Sequence, residues 1–270
     1  MPSSTCTFTN PRGHQLAARL EIPDGAGLRA AAVFAHCFTC SKDLKAVRRI
    51  TSALTRAGIA VLSFDFSGLG RSGGDFAQST FAADVDDLVA AADHLRDTLQ
   101  APTLLIGHSL GGAAVIMAAP RIPEVTAVAT INAPADPTHV QHLFSADLDT
   151  IRRDGQASVD IGGRPFTVGA QLVEDLSAHR PTAVLGAFGA AVLIFHSPGD
   201  QTVGIENAGL LFQAARHPKS FVSLDGADHL LSNPRDATYV AAVTAAWVDR
   251  YLPEVTGPAG VGRGGVTPGG

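Results

Sequence analysis

The stretch Thr103-Leu-Leu-Ile-Gly-His-Ser-Leu-Gly-Gly112 decides how the rest of the chain reads. Its first part, Thr103–Ile106, predicts a buried strand, and Leu110–Ala119 predicts a helix that Pro120 and Pro123 stop. Between them Gly107-His108-Ser109-Leu110-Gly111 fits G-x-S-x-G in the strand–turn–helix context that the motif requires. A serine on so tight a turn needs small neighbours, because the strained backbone lifts its Oγ out of the sheet. The helix N-terminus that follows favours developing negative charge. Ser109 is therefore the candidate nucleophile.

Outward from this unit, short apolar runs alternate with helical segments. Thr5–Thr9 and Leu16–Ile22 predict an opening pair of strands, Ala31–Ala35 a buried strand, Lys45–Ala57 a helix and Ile59–Phe64 a strand. In the predicted helix Phe81–Leu99, the residues Phe81, Val85, Leu88, Val89, Ala92 and Leu95 share one face. The opposite face, with Asp84, Asp86, Asp87, Asp93 and Asp97, reads as solvated. Strand Val125–Ile131 follows, and later strand Ala191–Phe195, helix Glu206–Ala215, strand Ser220–Leu224 and helix Ala237–Tyr251. Such alternation means βαβ units and a mostly parallel sheet covered on both faces. The expected domain is an α/β-hydrolase fold over 1–256, with its core at 1–132 and 188–256. The segment 133–187 breaks the rhythm with a hairpin signal at Gly162-Gly163 and a helix over Gln171–Leu176. It reads as a cap over the C-terminal sheet edge, where substrates bind. The tail 257–270, with seven Gly and two Pro, reads as a linker or disordered end.

A serine nucleophile needs a base and an acid that orients the base. His229 follows the last predicted strand, and Asp200 follows Ala191–Phe195. The order Ser109, Asp200, His229 is the chain order of α/β-hydrolase triads. Asp225 and Asp228 are competing acids that read as turn residues. Backbone N–H groups supply an oxyanion hole: Leu110, next after the nucleophile, and Phe38, in the loop His36-Cys37-Phe38-Thr39-Cys40 after Ala31–Ala35. Each donor contributes ~3 kcal/mol to the transition state. His36, His108 and His196 read as structural hydrogen-bonders, His139 and His142 as a cap-surface pair. Phe144, Phe166, Leu172 and Phe188 read as cap, pocket or core groups.

Composition narrows the partners. The chain has 270 residues, 46% hydrophobic and 17% charged, with a net charge of −5. A sizeable core is available and whole-chain disorder is excluded. The acidic balance argues against a nucleic-acid partner. Runs such as Ala30–Ala35 are too short to cross a bilayer, so no membrane partner is expected. Met1-Pro2-Ser3-Ser4 lacks the basic and apolar regions of a signal peptide, and with three Cys the chain reads as cytoplasmic with free thiols. Cys37 and Cys40, spaced C-x-x-C, allow three readings: small packed residues, a redox-sensitive disulfide, or a metal pair. Two ligands are too few for a structural zinc site, and no metal is expected.

Several runs resemble the serine-hydrolase part of the bifunctional α/β-hydrolase/OsmC family. They are Ala35-His-Cys-Phe-Thr-Cys-Ser-Lys-Asp43, Asp65-Phe-Ser-Gly-Leu-Gly70, Ile106-Gly-His-Ser-Leu-Gly-Gly112, Ala133-Pro-Ala-Asp-Pro137, Gly163-Arg-Pro-Phe166, His196-Ser-Pro198 with Asp200, and Ala227-Asp-His-Leu-Leu231. The resemblance implies an OsmC-like peroxide-reducing domain after the hydrolase. This chain ends at Gly270 without one and is expected to lack that activity. More widely the chain is similar to feruloyl and other carboxylesterases, in which glycines stand at the positions of Cys37 and Cys40 and an arginine at that of Ser67. The expected function is a serine carboxylesterase acting on small to medium acyl esters, with hydroxycinnamoyl esters implied by the resemblance. It is expected to need no cofactor. A thioesterase, acyltransferase or peptidase would use the same triad, and a binding or interaction module would leave it unused. A homodimer through the cap edge or the first strands stays open.

Overall fold

A computed structural model describes residues 3–24 and 27–252; the tail 257–270 lies outside them. Strand β3 (Ala30–Ala35) is buried along its whole length. Its side chains divide by parity: Ala31, Val33 and Ala35 enter one core, Ala30, Ala32 and Phe34 the other. That division is the two-residue period of a strand covered on both faces. β4 (Ile59–Phe64), β5 (Leu104–His108), β6 (Ala127–Ile131) and β9 (Ala191–His196) are equally buried.

With β1 (Ser3–Thr9), β2 (Gln15–Glu21) and β10 (Lys219–Ser223) they form one eight-stranded sheet in the order β1-β2-β4-β3-β5-β6-β9-β10. β1 and β2 pair antiparallel, as do β2 and β4, and every later pairing is parallel. Helices α1 (Lys45–Arg56) and α8 (Pro234–Val248) cover one face, with Ile50, Leu54, Val240 and Val248 in its core. Helices α2 (Phe81–Thr98), α3 (Leu110–Ala118) and α7 (Glu206–Ala214) cover the other. The α/β-hydrolase fold expected from the alternation is the fold observed. Among the described residues no helix is long and apolar enough to cross a membrane.

Some boundaries and one face differ from expectation. α8 begins at Pro234 rather than Ala237, because Asn233 caps it through the Arg235 N–H at 3.0 Å and proline suits the first helical position. Asp87, expected in water, is fully buried: Asn10 Nδ2, an Arg12 guanidinium N–H and the Ser67 N–H all donate to its carboxylate. Those partners come from turns distant in sequence, so the helical period alone hides them.

Between β6 and β9 the chain leaves the sheet. It forms a 3-10 stretch Pro137–Asp147, α4 (Leu148–Asp154), a hairpin of β7 (Gln156–Asp160) and β8 (Pro165–Gly169), α5 (Ala170–Leu176) and α6 (Pro181–Ala187). The hairpin and α5 match the reading of this segment. The 3-10 stretch, α4 and α6 do not appear in it: the first is interrupted by non-helical backbone at Phe144, and α4 and α6, of seven residues each, are too short to show an apolar period. This segment is fastened to the core at separate points. Gln171 Nε2 donates to the Ala77 carbonyl, and Asp175 accepts from the Ala82 N–H at 2.8 Å, at the start of α2.

Candidate active site

β5 delivers Ser109 to the middle of the sheet's C-terminal edge. Its φ of 55° is a left-handed conformation that a non-glycine residue adopts only when its surroundings enforce it. Here the Ser109 N–H donates to Ile131 O at 2.9 Å, and its carbonyl accepts from the Gly112 N–H at 2.8 Å. The turn is also too tight for side chains. A Cβ on Gly107 would stand 2.2 Å from Gly111 O, and one on Gly111 would stand 2.4 Å from His36 O. The glycines of the motif thus seat the start of α3 directly against the end of β3.

Ser109, His229 and Asp200 lie in one hydrogen-bonded chain. Ser109 Oγ is 3.0 Å from His229 Nε2, and His229 Nδ1 is 2.7 Å from Asp200 Oδ2. An ionised carboxylate only accepts, so Nδ1 carries the proton and Nε2 is free to accept from the serine hydroxyl. Burial alone would raise the Asp200 carboxyl. The bond from His229 and the N–H groups of Val203 and Thr202 outweigh it and hold the group below the ordinary carboxylate range. The competing acids turn elsewhere: Asp225 accepts from Ser223 Oγ and Asp228 from the Ser232 N–H.

Each loop of the site is pinned by a histidine that donates to a backbone carbonyl. His108 Nε2 reaches His229 O at 2.7 Å, His196 Nε2 reaches Val203 O at 2.8 Å, and His139 Nε2 reaches Thr202 O at 2.6 Å. His36 Nδ1 reaches Cys37 O at 2.8 Å while its Nε2 accepts from the Phe66 N–H. A carbonyl cannot donate, so these contacts fix the protonated nitrogen of each ring. Burial pulls His36 and His196 below the ordinary imidazole range, and burial together with the facing His229 pushes His108 down to about 3. Asn132 was not singled out from the sequence. Its Nδ2 donates to His229 O at 3.1 Å and its Oδ1 accepts from the Ser197 N–H at 2.9 Å. The only signal for it was a polar residue directly after an apolar strand.

Phe38 and Leu110, the expected oxyanion donors, both border the same cavity as Ser109 and His229, a cleft of about 550 Å³. That is within the range of small-ligand sites. Among the described residues neither N–H donates to an internal acceptor. The cavity wall includes Val140, Leu143, Ile161 and Arg164 from the segment between β6 and β9. Phe144, Phe166, Leu172 and Phe188 do not border it: Phe144 and Leu172 are buried in the core, and the half-buried Phe166 and Phe188 pack against it.

The loop carrying Phe38 departs from the free-thiol reading. Cys37 and Cys40 form a disulfide. The Cys40 N–H donates to Cys37 O at 3.1 Å, closing a four-residue turn that leaves the two Cα atoms 5.3 Å apart, within bonding reach. Cys6 is unbonded. Past the turn, the buried Asp65 accepts from the Lys42 N–H at 2.7 Å and from Lys42 Nζ at 2.6 Å. This anchor, too, was not assigned a role from sequence. Among the described residues no cluster of three or more His, Cys, Asp or Glu could hold a metal ion.

Comparison with known proteins gives a consistent set of likenesses. Residues 28–147 match the family described as serine aminopeptidase, S33 (Hydrolase_4), a span that contains Ser109 but neither Asp200 nor His229. The esterase domain of a Rhodothermus marinus protein is 52% identical, covering 94% of this chain and 100% of that one with a TM-score of 0.78. Est1E from Butyrivibrio proteoclasticus, solved with ferulic acid bound, is 20% identical over 91% of this chain and 99% of its own, with a TM-score of 0.74, a likeness of fold. An uncharacterized protein, YfhR of Salmonella typhi, is 24% identical over 233 residues, 84% of this chain and 75% of its own length.

Proposed function

We propose that this chain, which has the α/β-hydrolase fold, is a serine carboxylesterase for small to medium acyl esters, aromatic acyl groups included. The observation that carries this reading is the hydrogen-bonded chain Asp200–His229–Ser109, opening on a cavity beside two unengaged N–H groups. Ser109 Oγ attacks the acyl carbonyl as His229 Nε2 takes its proton. The Asp200 carboxylate holds the resulting imidazolium. The oxyanion is received by the N–H groups of Leu110 and Phe38. His229 then protonates the leaving alcohol, the acyl group stays on Ser109, and a water activated by His229 releases the acid. Water is the only co-reactant, so no cofactor enters.

The cavity's charges favour esters over aminopeptidase substrates. An aminopeptidase site must hold a free ammonium, and the carboxylate in this wall, Asp43, already pairs with Arg19 at 2.5 Å. Arg164 in the same wall has no carboxylate partner among the described residues. A panel of p-nitrophenyl esters of increasing acyl length, with a methyl hydroxycinnamate, tests the reading. Ser109→Ala is expected to abolish turnover and fluorophosphonate labelling together. A variant retaining a substantial fraction of the wild-type rate would overturn it.

A further inference from the structure

We propose that the Cys37–Cys40 disulfide is a positioning group for the Phe38 N–H, so that reducing it slows the chemical step and reoxidation restores it. The inference rests on the esterase reading above. Its argument starts from one peptide unit. The Phe38 N–H and the Cys37 carbonyl belong to the same planar trans group, so fixing the direction of one fixes the other. The carbonyl is held twice, by the Cys40 N–H at 3.1 Å and by His36 Nδ1 at 2.8 Å. The N–H therefore points the opposite way, and Phe38 borders the cavity beside Ser109. The donor's aim depends on the turn's staying closed, and the disulfide is the covalent closure of that turn.

The turn has a reason to open. Thr39, its third residue, sits at φ 58°. That conformation is costly for a β-branched side chain, by about 1–3 kcal/mol, and persists only where the surroundings over-determine it. Outside the disulfide, Thr39 is held by a hydrogen bond from the Arg164 guanidinium to its carbonyl. The Phe38 ring packs between Phe76 at 5.6 Å and Phe144 at 6.4 Å, contacts that locate the ring but do not themselves set the direction of the peptide. A reductant can reach the bond, because both cysteines border the cavity and Cys40 is only half-buried. A small dithiol supplies two electrons and two protons. Its thiolate attacks Cys40 Sγ, its second thiol resolves the mixed disulfide, and both cysteines become thiols while the dithiol closes to a cyclic disulfide.

The experiment treats the whole chain with dithiothreitol until iodoacetamide and mass spectrometry count three alkylated cysteines in place of one. Steady-state hydrolysis of p-nitrophenyl butyrate is then compared before reduction, after it, and after reoxidation. The expected result is a fall in kcat of at least about tenfold, toward the ~10²–10³-fold of a lost oxyanion donor, with KM within about threefold. Reoxidation restores the rate, and Cys37→Ser/Cys40→Ser is slow and indifferent to dithiothreitol. A three-thiol form with kcat within about twofold of the oxidised one overturns the inference, as does a loss that merely tracks the folded fraction seen by circular dichroism. An oxidised enzyme that hydrolyses no ester overturns the esterase reading instead, so the two failures are distinct.

Discussion

Replacing Gly111 by alanine tests whether the start of α3 and the end of β3 form one oxyanion site. The added Cβ would lie 2.4 Å from His36 O, 2.7 Å from Ala35 O and 2.9 Å from Ala35 C, all backbone atoms that cannot swing aside. Relief to the 3.0 Å that real contacts rarely breach takes 0.6 Å, and ordinary contact at 3.4 Å takes 1.0 Å. The two bodies that must separate carry one donor each, Leu110 on the helix side and Phe38 on the loop side. A misplacement of about 1 Å costs roughly 10²-fold in rate, equivalent to about 2.7 kcal/mol of barrier. Overpacking costs about 1–3 kcal/mol of stability, which leaves a domain of this size folded. The assay is kcat and KM on p-nitrophenyl butyrate for Gly111→Ala, with circular dichroism to establish folding. The loss is expected in kcat. A folded variant turning over within about threefold of wild type would refute the close-approach argument.

Three further outcomes follow from the same geometry. In Asp200→Asn an amide replaces the oxygen that accepts from His229 Nδ1, favouring the wrong imidazole tautomer, and kcat is expected to fall by about 10⁴-fold with little change in folding; a loss under tenfold would contradict the assignment. Burial, then repulsion from His229, keeps His108 at about 3 against ~6.5 in an unfolded chain, so its contribution is complete above pH 6.5 and is lost as pH falls from there toward 3, at up to about 1.4 kcal/mol per pH unit. Urea midpoints of His108→Gln should therefore fall less between pH 6.5 and 4 than those of wild type, and parallel curves would remove His108 from the account. Gly209, in α7 with open space where a Cβ would go, is the opposite case to Gly111: Gly209→Ala should stabilise by about 0.5–1 kcal/mol in thermal denaturation, and a lowered midpoint would count against it.

The features legible in the sequence are those encoded by neighbours along the chain. Alternating runs such as Ile59–Phe64 and Phe81–Thr98 mark the layers, because each strand or helix carries its own period. Ser109 announces itself through glycines two residues away on either side, and Asp200 and His229 through their places after strands. What stayed hidden depends on residues brought together from afar. Asp87 reads as one more acid on a wet helix face until Asn10, Arg12 and Ser67 are folded over it. Asn132 looks like a strand-end polar residue, and its two bonds reach 97 and 65 residues onward. The cysteine spacing was plain, but bonding depended on a turn whose left-handed Thr39 no local propensity favours.

The bond from Arg164 to the Thr39 carbonyl spans 125 residues and joins the hairpin of the inserted segment to the loop that presents Phe38. On the esterase reading proposed above, specificity and turnover are therefore not separable modules. Grafting another insert between β6 and β9 to change the accepted acyl group would also remove a support of the loop proposed to receive the oxyanion. A transplanted segment that shapes the new pocket well, yet brings no donor to Thr39, should bind its ester and turn it over slowly. Redesign here succeeds by exchanging walls while keeping that guanidinium, or by supplying its equivalent from the core.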